Sequence, residues 1–302
     1  MQPKITGKDS EEESAMAVPA IGKTGIWSLE LRFGDKGQAN EAAAELDELG
    51  YGALWIPGGI DSGAPADVQR LLGVTRRATI ATGILNLWKH EPVELAAWFA
   101  SLDEAEKART LLGIGVSHGP LIGEQWGKPL PAMRRFLDGL DAAGMPRGHL
   151  CLAALGPKMT ALAAERTAGA HPYLVTPEHT AQARAILGPG KLLAPEQGVI
   201  LEEDPARARA LALGALEHYR RLPNYRNNWL RLGFAEDEID ACSDRLIEAL
   251  FAVGGVEQAA ARVQAHLDAG ADHVCLQVIG GQSGAGFDAL RPLWRRLAEA
   301  LL

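Results

Sequence analysis

Residues 78–92 read ATIATGILNLWKHEP. The β-branched and apolar residues up to Leu87 predict a strand over 78–87. Pro92 then opens a helix, because the first helical turn has no use for the N–H that proline lacks. A strand followed at once by a helix is the repeating unit of parallel α/β folds. The cluster Asn86, Trp88, Lys89 and His90 stands where this strand leaves the core. Polar groups gathered at a strand end mark a loop on which a rigid scaffold carries chemistry.

Working outward, the same unit recurs. Apolar β-rich runs occur at 23–31, 53–58, 78–87, 110–117, 150–155, 171–175, 192–201 and 273–279. Between them lie helical segments with punctuated ends: Gln38 to Leu49 stopped by Gly50, helices entered at Pro92, Pro157, Thr176-Pro177 and Asp204-Pro205, and Val256 to Ala269 stopped by Gly270. Eight strand-plus-helix units predict a closed (β/α)8 TIM barrel. An open doubly wound sheet would want a G-x-G-x-x-G after the first strand, and KTGIWSLELRFGDKG has none. With 302 residues, 47% of them apolar, and 34 glycines, the chain suffices for one barrel domain over 21–302, preceded by a mobile polar tail over 1–20. One region is irregular. The mostly helical stretch at about 202–255, carrying LPNYRNNWLRLGF, is too long for a connection and reads as an insertion before the last strand, placed to close the pocket or to pack against a second subunit.

Composition excludes other classes. A net charge of −8 without a basic patch argues against nucleic acid. Cys151, Cys242 and Cys275 are odd in number and widely spaced, which suggests neither disulfides nor a metal centre and points to the cytoplasm. No apolar run reaches the roughly 18 residues that span a bilayer. The expected partner is a small-molecule substrate.

In a barrel, active sites collect at the C-terminal ends of the strands. Asn86 to His90, Trp55 to Gly59, Ser117-His118-Gly119, Leu155 to Lys158 and His171-Pro172-Tyr173 all fall at such ends. A mouth lined by Trp, His, Asn and glycine suits a flat, largely apolar ligand with polar tails.

ATGILNLWKHEP, LLGIGVSHGP, ALGPKMTALAAERTAGAHPYLV and AGADHVCLQV together resemble the luciferase-like superfamily of flavin- and deazaflavin-dependent oxidoreductases, most closely its actinobacterial branch using coenzyme F-420. The similarity runs from about Gly25 to Ile279. It implies a deazaflavin held on the ends of strands three to six, hydride transfer to or from an organic substrate, and a homodimer. Such a cofactor carries the redox chemistry while the protein orients it.

Position by position, the resemblance places cofactor contacts at Gly83 and Ile84, where the family often has a non-prolyl cis peptide, and at Asn86, whose alternative role is to cap the loop. It adds Gly115 and Val116, and Leu121 where a relative has a polar contact. His118 stands where a relative carries a catalytic carboxylate; hydride transfer leaves a proton to move, and imidazole titrates in the working range. Leu155, Gly156, Lys158 and Met159 complete the set, with the helix opening at Pro157 offering its N-terminus to an anion. Trp27, Trp55, Trp88 and His171 are candidate walls of the substrate pocket. His90 is expected to cap or to face solvent.

The chain departs from the family in one respect. Many relatives carry an acidic residue and a basic His after strand two, where this sequence has Pro57-Gly58-Gly59. Oxidations that use that base are disfavoured. A luciferase-like monooxygenase using FMN and a deazaflavin-binding protein without turnover remain as alternatives.

Overall fold

Helix and strand boundaries in the computed structural model have local causes. The structure describes residues 18–59, 61–123, 126–280 and 286–302, so most of the expected 1–20 tail lies outside the described residues. Asp35 caps the helix Lys36–Leu49 by accepting from the Gln38 N–H, and Gly50 ends it at φ 102°. Thr176 and Asp204 cap the helices Pro177–Leu187 and Pro205–Tyr219 in the same way. Proline opens both of these, as it opens Pro92–Ser101 and Pro157–Arg166.

Among the described residues ten strands form: β1 (Thr24–Trp27), β2 (Ala53–Ile56), β3 (Thr79–Asn86), β4 (Thr110–Gly115), β5 (Leu150–Leu152), β6 (Gly169–Ala170), β7 (Leu192–Leu193), β8 (Glu196–Ile200), β9 (Phe251–Val253) and β10 (Val274–Val278). They pair in parallel in the order β7-β6-β5-β4-β3-β2-β1-β10-β8-β9. The two pieces β7 and β8 belong to one stretch of chain broken at Ala194-Pro195. The first half bonds to β6, with the Ala194 N–H donating to Ala170 O at 2.9 Å; the second bonds to β10, with the Cys275 N–H donating to Pro195 O at 3.0 Å. The sheet therefore curls back toward itself.

Of the expected eight-stranded barrel, the structure shows the parallel α/β architecture and a curled sheet of ten strands among the described residues. The run at 192–201 splits because Pro195 has no N–H for a ladder. Strand six occupies only Gly169–Ala170, and 171–175 is a loop in which Leu174 has a left-handed φ of 52°. A strand, β9, lies inside the stretch read as helical, paired with β8 from Gly198 to Ile200.

Side chains alternate across the sheet. One set, including Trp27, Ala53, Trp55, Ala81, Leu111, Cys151, Ala194 and Cys275, packs together inside the curl. The intervening set, such as Ile26, Leu54, Ile80 and Leu112, packs outward against the helices. Both faces are thus buried, which is why the strands read as nearly continuous apolar runs. The insertion builds a separate cluster around Trp229, Leu216, Leu246 and Phe251. No described helix is long and apolar enough to cross a membrane.

Trp229 is 0% exposed and its indole N–H donates to Leu174 O at 3.3 Å, tying the insertion to the loop after β6. Trp229→Ala should cost roughly 3–5 kcal/mol, the scale of a large core truncation. Chemical denaturation checks this, and a loss below about 1 kcal/mol would mean that the insertion hangs on the sheet by other contacts.

Candidate functional site

The end of β3 is the best-defined part of the mouth. The Gly83-Ile84 peptide is cis, as the resemblance implies. The Trp27 indole N–H donates to Gly83 O at 3.0 Å. A side chain at residue 83 has no room, since a Cβ there would stand 2.5 Å from Trp27 Nε1 and 2.8 Å from His171 Nε2. Gly115 pairs with Asn86 in register, and a Cβ on it would meet Ile84 Cδ1 at 2.5 Å.

Asn86 is 1% exposed. Its Oδ1 accepts from the Trp88 N–H at 3.1 Å and caps the short 3-10 turn Leu87–Lys89. Its Nδ2 has no partner among the described residues. Capping therefore accounts for the oxygen and leaves the amino group unexplained, and an orphaned buried donor asks for a ligand. Trp88 donates from Nε1 to Val116 O at 2.8 Å and packs near Trp126, with ring centroids 6.1 Å apart. His90 is half-buried rather than solvent-facing, and its Nε2 also lacks a partner among the described residues.

Across the mouth, His118 precedes the short helix Gly119–Ile122. Leu121 belongs to that helix, and its side chain lies outside the described residues. The His118 ring is 5.7 Å from that of Tyr225, 6.2 Å from His218 and 6.5 Å from Tyr219. All three partners come from the insertion, which thus folds over the strand ends. Tyr219 is 5.4 Å from Tyr173, which is 6.1 Å from Trp27. Tyr173 also donates its hydroxyl to Gln277 Oε1 at 2.9 Å.

Gly156 precedes the helix Pro157–Arg166 and no side chain caps that end. Lys158 is exposed in its first turn. Arg231, from the insertion helix Pro223–Arg231, donates to Leu155 O at 3.2 Å, and His179 Nε2 lies 3.0 Å from the same oxygen. The corner thus gathers two cationic side chains, Lys158 and Arg231, at the positive end of a helix, a setting that suits an anion. Met159 is half-buried and packs against the core cluster.

Two expected pocket walls lie deeper. Trp55 is 0% exposed, stacks on His171 with centroids 4.1 Å apart, and donates from Nε1 to His273 Nε2 at 3.1 Å. His171 Nδ1 lies 2.7 Å from Ala194 O. These residues are the floor beneath the mouth, because alternation directs them into the curl below its rim.

Burial sets the charge states. It holds His171 and His273 down at about 4. His118 is pushed down to about 4 by burial and by the neighbouring His218, against a hydrogen bond with Asn224. Its imidazole is therefore neutral through the range in which a free histidine titrates, contrary to the expectation from sequence. Glu196 moves the other way, since burial raises its carboxyl to about 8. The sequence reading missed Glu196 and the tyrosines. A glutamate inside the apolar run LLAPEQGVIL was the available signal, because an unpaired buried carboxylate is costly.

A groove of about 690 Å³ lies elsewhere, on the outer flank of β9 against the helices Asp244–Leu250 and Val256–Asp268. Its polar residues are already engaged: Arg209 pairs with Asp244, and Arg262 donates to Ala249 O and Glu248 O at 2.6 Å each.

Residues 34–273 match a family described as luciferase-like monooxygenase. No curated protein sequence matches the chain. Among solved structures, the fold is similar to that of an F-420-dependent secondary alcohol dehydrogenase in complex with an F-420–acetone adduct, at a TM-score of 0.69 and 15% identity, over 93% of this chain and 98% of that one. It is also similar to the coenzyme F-420-dependent tetrahydromethanopterin reductase of Methanopyrus kandleri (TM-score 0.64, 16% identity, 93% and 99% covered). A third similar structure is the oxygenating constituent of the 3,6-diketocamphane monooxygenase of Pseudomonas putida with FMN (0.66, 14%, 93% and 99%). At such identities these likenesses establish the fold alone.

The buried histidines predict acid sensitivity. His171, His273 and His266, the last held at about 3 by burial and then by Arg262 and His179, stay neutral in the folded chain and take up protons once unfolded. Their contribution is present above about pH 6.5 and is lost toward pH 4, at roughly 1.4 kcal/mol per pH unit each. Glu196, with its raised value, opposes one of the three. Stability should thus fall by up to roughly 3 kcal/mol per unit between pH 6 and pH 4.5. Denaturant midpoints at pH 7, 5.5 and 4.5 measure it, and a flat series would contradict the assigned charge states.

Proposed function

The chain belongs to the luciferase-like monooxygenase family, and on that premise we propose that it is an oxidoreductase passing a hydride between coenzyme F-420 and a small, flat, apolar organic substrate. In this reading the curled sheet works as a TIM barrel, and the protein is a cytoplasmic homodimer. The observation that carries the proposal is the unpartnered Nδ2 of Asn86, a buried donor at the end of β3 beside the cis Gly83-Ile84 peptide. It fits the polar edge of a deazaflavin or flavin ring.

Other residues fit the remainder of such a group. Gly115 and Val116 run beside Asn86 at the end of β4, where a ring could lie along them. The uncapped start of the Pro157 helix, with Lys158 and Arg231, suits a phosphate or carboxylate tail. The cofactor would supply the hydride chemistry. Trp27, Tyr173, Tyr219 and Tyr225 exclude water and set an aromatic preference. His118, held neutral, is able to accept a proton at the mouth.

The runner-up is an FMN monooxygenase, supported by the family's description and by the FMN-containing structural neighbour. Titration of the purified protein with each cofactor, followed by cofactor absorbance and protein fluorescence, separates the two. Coenzyme F-420 should bind at least about tenfold more tightly than FMN, a gap of about 1.4 kcal/mol. Asn86→Ala should weaken binding by roughly 1–2 kcal/mol, the scale of one buried hydrogen bond. Preference for FMN would transfer the function to the monooxygenase reading. Binding of neither would overturn both.

A further inference from the structure

Gln277 is a polar side chain that neither the fold nor the proposed cofactor site has absorbed. It lies on β10 between Leu276 and Val278, which pack outward against the helices, and two residues beyond Cys275, which packs inside the curl. Alternation therefore turns Gln277 into the curl, where it is 3% exposed. A buried amide in an apolar chamber is costly unless it is bonded.

We propose that Gln277, held in place by Tyr173, is the substrate-recognising residue of this site, and that the substrate is an uncharged planar compound whose carbonyl oxygen accepts a hydrogen bond from the Gln277 amide. The inference rests on the oxidoreductase reading above and names its substrate class.

The placement follows from register and contacts. β1 and β10 pair in parallel with Ile26 opposite Leu276. Trp27 and Gln277, one residue further along each strand, thus stand side by side at about the 4.8 Å spacing of neighbouring strands. The Trp27 indole N–H donates to Gly83 O at 3.0 Å, and its ring lies 6.1 Å from that of Tyr173. The Tyr173 hydroxyl in turn donates to Gln277 Oε1 at 2.9 Å. Indole, phenol and amide form one connected set, joined through Gly83 to the end of β3 on which Asn86 stands.

Two chemical consequences define the ligand. With its oxygen engaged by Tyr173, the Gln277 amide has its Nε2–H groups to offer, so it selects an acceptor such as a carbonyl oxygen. The surrounding rings set the shape. Trp27, Tyr173 and Tyr219, the last 5.4 Å from Tyr173, are flat and uncharged. The cations of the strand ends stand elsewhere, Lys158 and Arg231 at the Pro157 helix and Arg32 paired with Asp61 and Asp67. A conjugated ketone or aldehyde is complementary to such a set.

Ligand-observed NMR on the purified protein, first without cofactor and then with whichever cofactor binds, tests the proposal with acetophenone and α-methylstyrene. The second probe has a methylene group in place of the carbonyl oxygen and nearly the same shape. The wild type should bind acetophenone about fivefold more tightly, although α-methylstyrene is the more apolar. Gln277→Leu should weaken acetophenone by about tenfold and leave α-methylstyrene within about twofold, because a site built to bond an oxygen loses most against the ligand that carries it. Gln277→Glu, which keeps the volume and the acceptor for Tyr173 but removes the donors, should do the same and stands in if the leucine variant does not fold. Cofactor affinity should stay within about threefold throughout. Binding of neither probe, wild-type preference for α-methylstyrene, or acetophenone affinity unchanged in both variants would overturn the proposal. If the expected discrimination appears while neither cofactor binds, the oxidoreductase reading fails and Gln277 keeps its role in recognition; cofactor binding without discrimination sinks the role of Gln277 alone.

Discussion

The backbone of Leu174 is the point on which the mouth depends. Its N–H is held by the Glu196 carboxyl and its carbonyl by the Trp229 indole, while its φ of 52° turns the chain sharply between Tyr173 and Val175. A left-handed leucine is unfavourable by itself and persists only where its surroundings fix it. Here the surroundings are β8 on one side and the insertion on the other. This single clamp orients Tyr173, and through it Tyr219, Tyr225 and His118. The aromatic mouth is thus a consequence of how three sequence-distant segments meet at the backbone of one residue.

The electrostatics follow from the same enclosure. Inside the curl the titratable groups are neutral, since burial penalises the charged form of histidine, tyrosine and carboxyl alike. One cationic corner is formed by Lys158 and Arg231 at the opening of the Pro157 helix, and the buried Arg32 adds a second charge after β2, where it donates to Pro57 O and pairs with Asp61 and Asp67. A neutral aromatic chamber beside a cationic corner divides a ligand into a flat part and an anionic tail. That division suits a ring cofactor in an acidic protein better than it suits a free anionic metabolite.

Much of the fold was legible in the sequence because apolar runs and helix punctuation are local signals. Asn86, Gly115, His118 and Gly156 do fall at the ends of β3, β4 and β5 or just beyond them. Most of what sequence alone did not reveal is non-local. Pro195 splits a run that reads as one strand, and β9 hides within a helical context because its pairing with β8 is decided across 50 residues of insertion. The depth of Trp55 is set by the whole sheet, since sequence shows that a side chain faces the curl but not how deep it lies. Tyr219 and Tyr225 lacked any local mark, since their meaning comes from contact with His118 and Tyr173. Glu196 was visible as an acid in an apolar strand and needed only to be weighed by its burial cost.

The central claim is that the ring cofactor sits at the strand ends beneath the insertion. Hydrogen–deuterium exchange of the protein with and without saturating coenzyme F-420 tests it most directly. The account predicts slower exchange confined to residues 83–90, 115–119, 155–160, 171–175 and 218–226. Protection appearing instead around the outer groove of β9, or at none of these segments despite saturation, would contradict it.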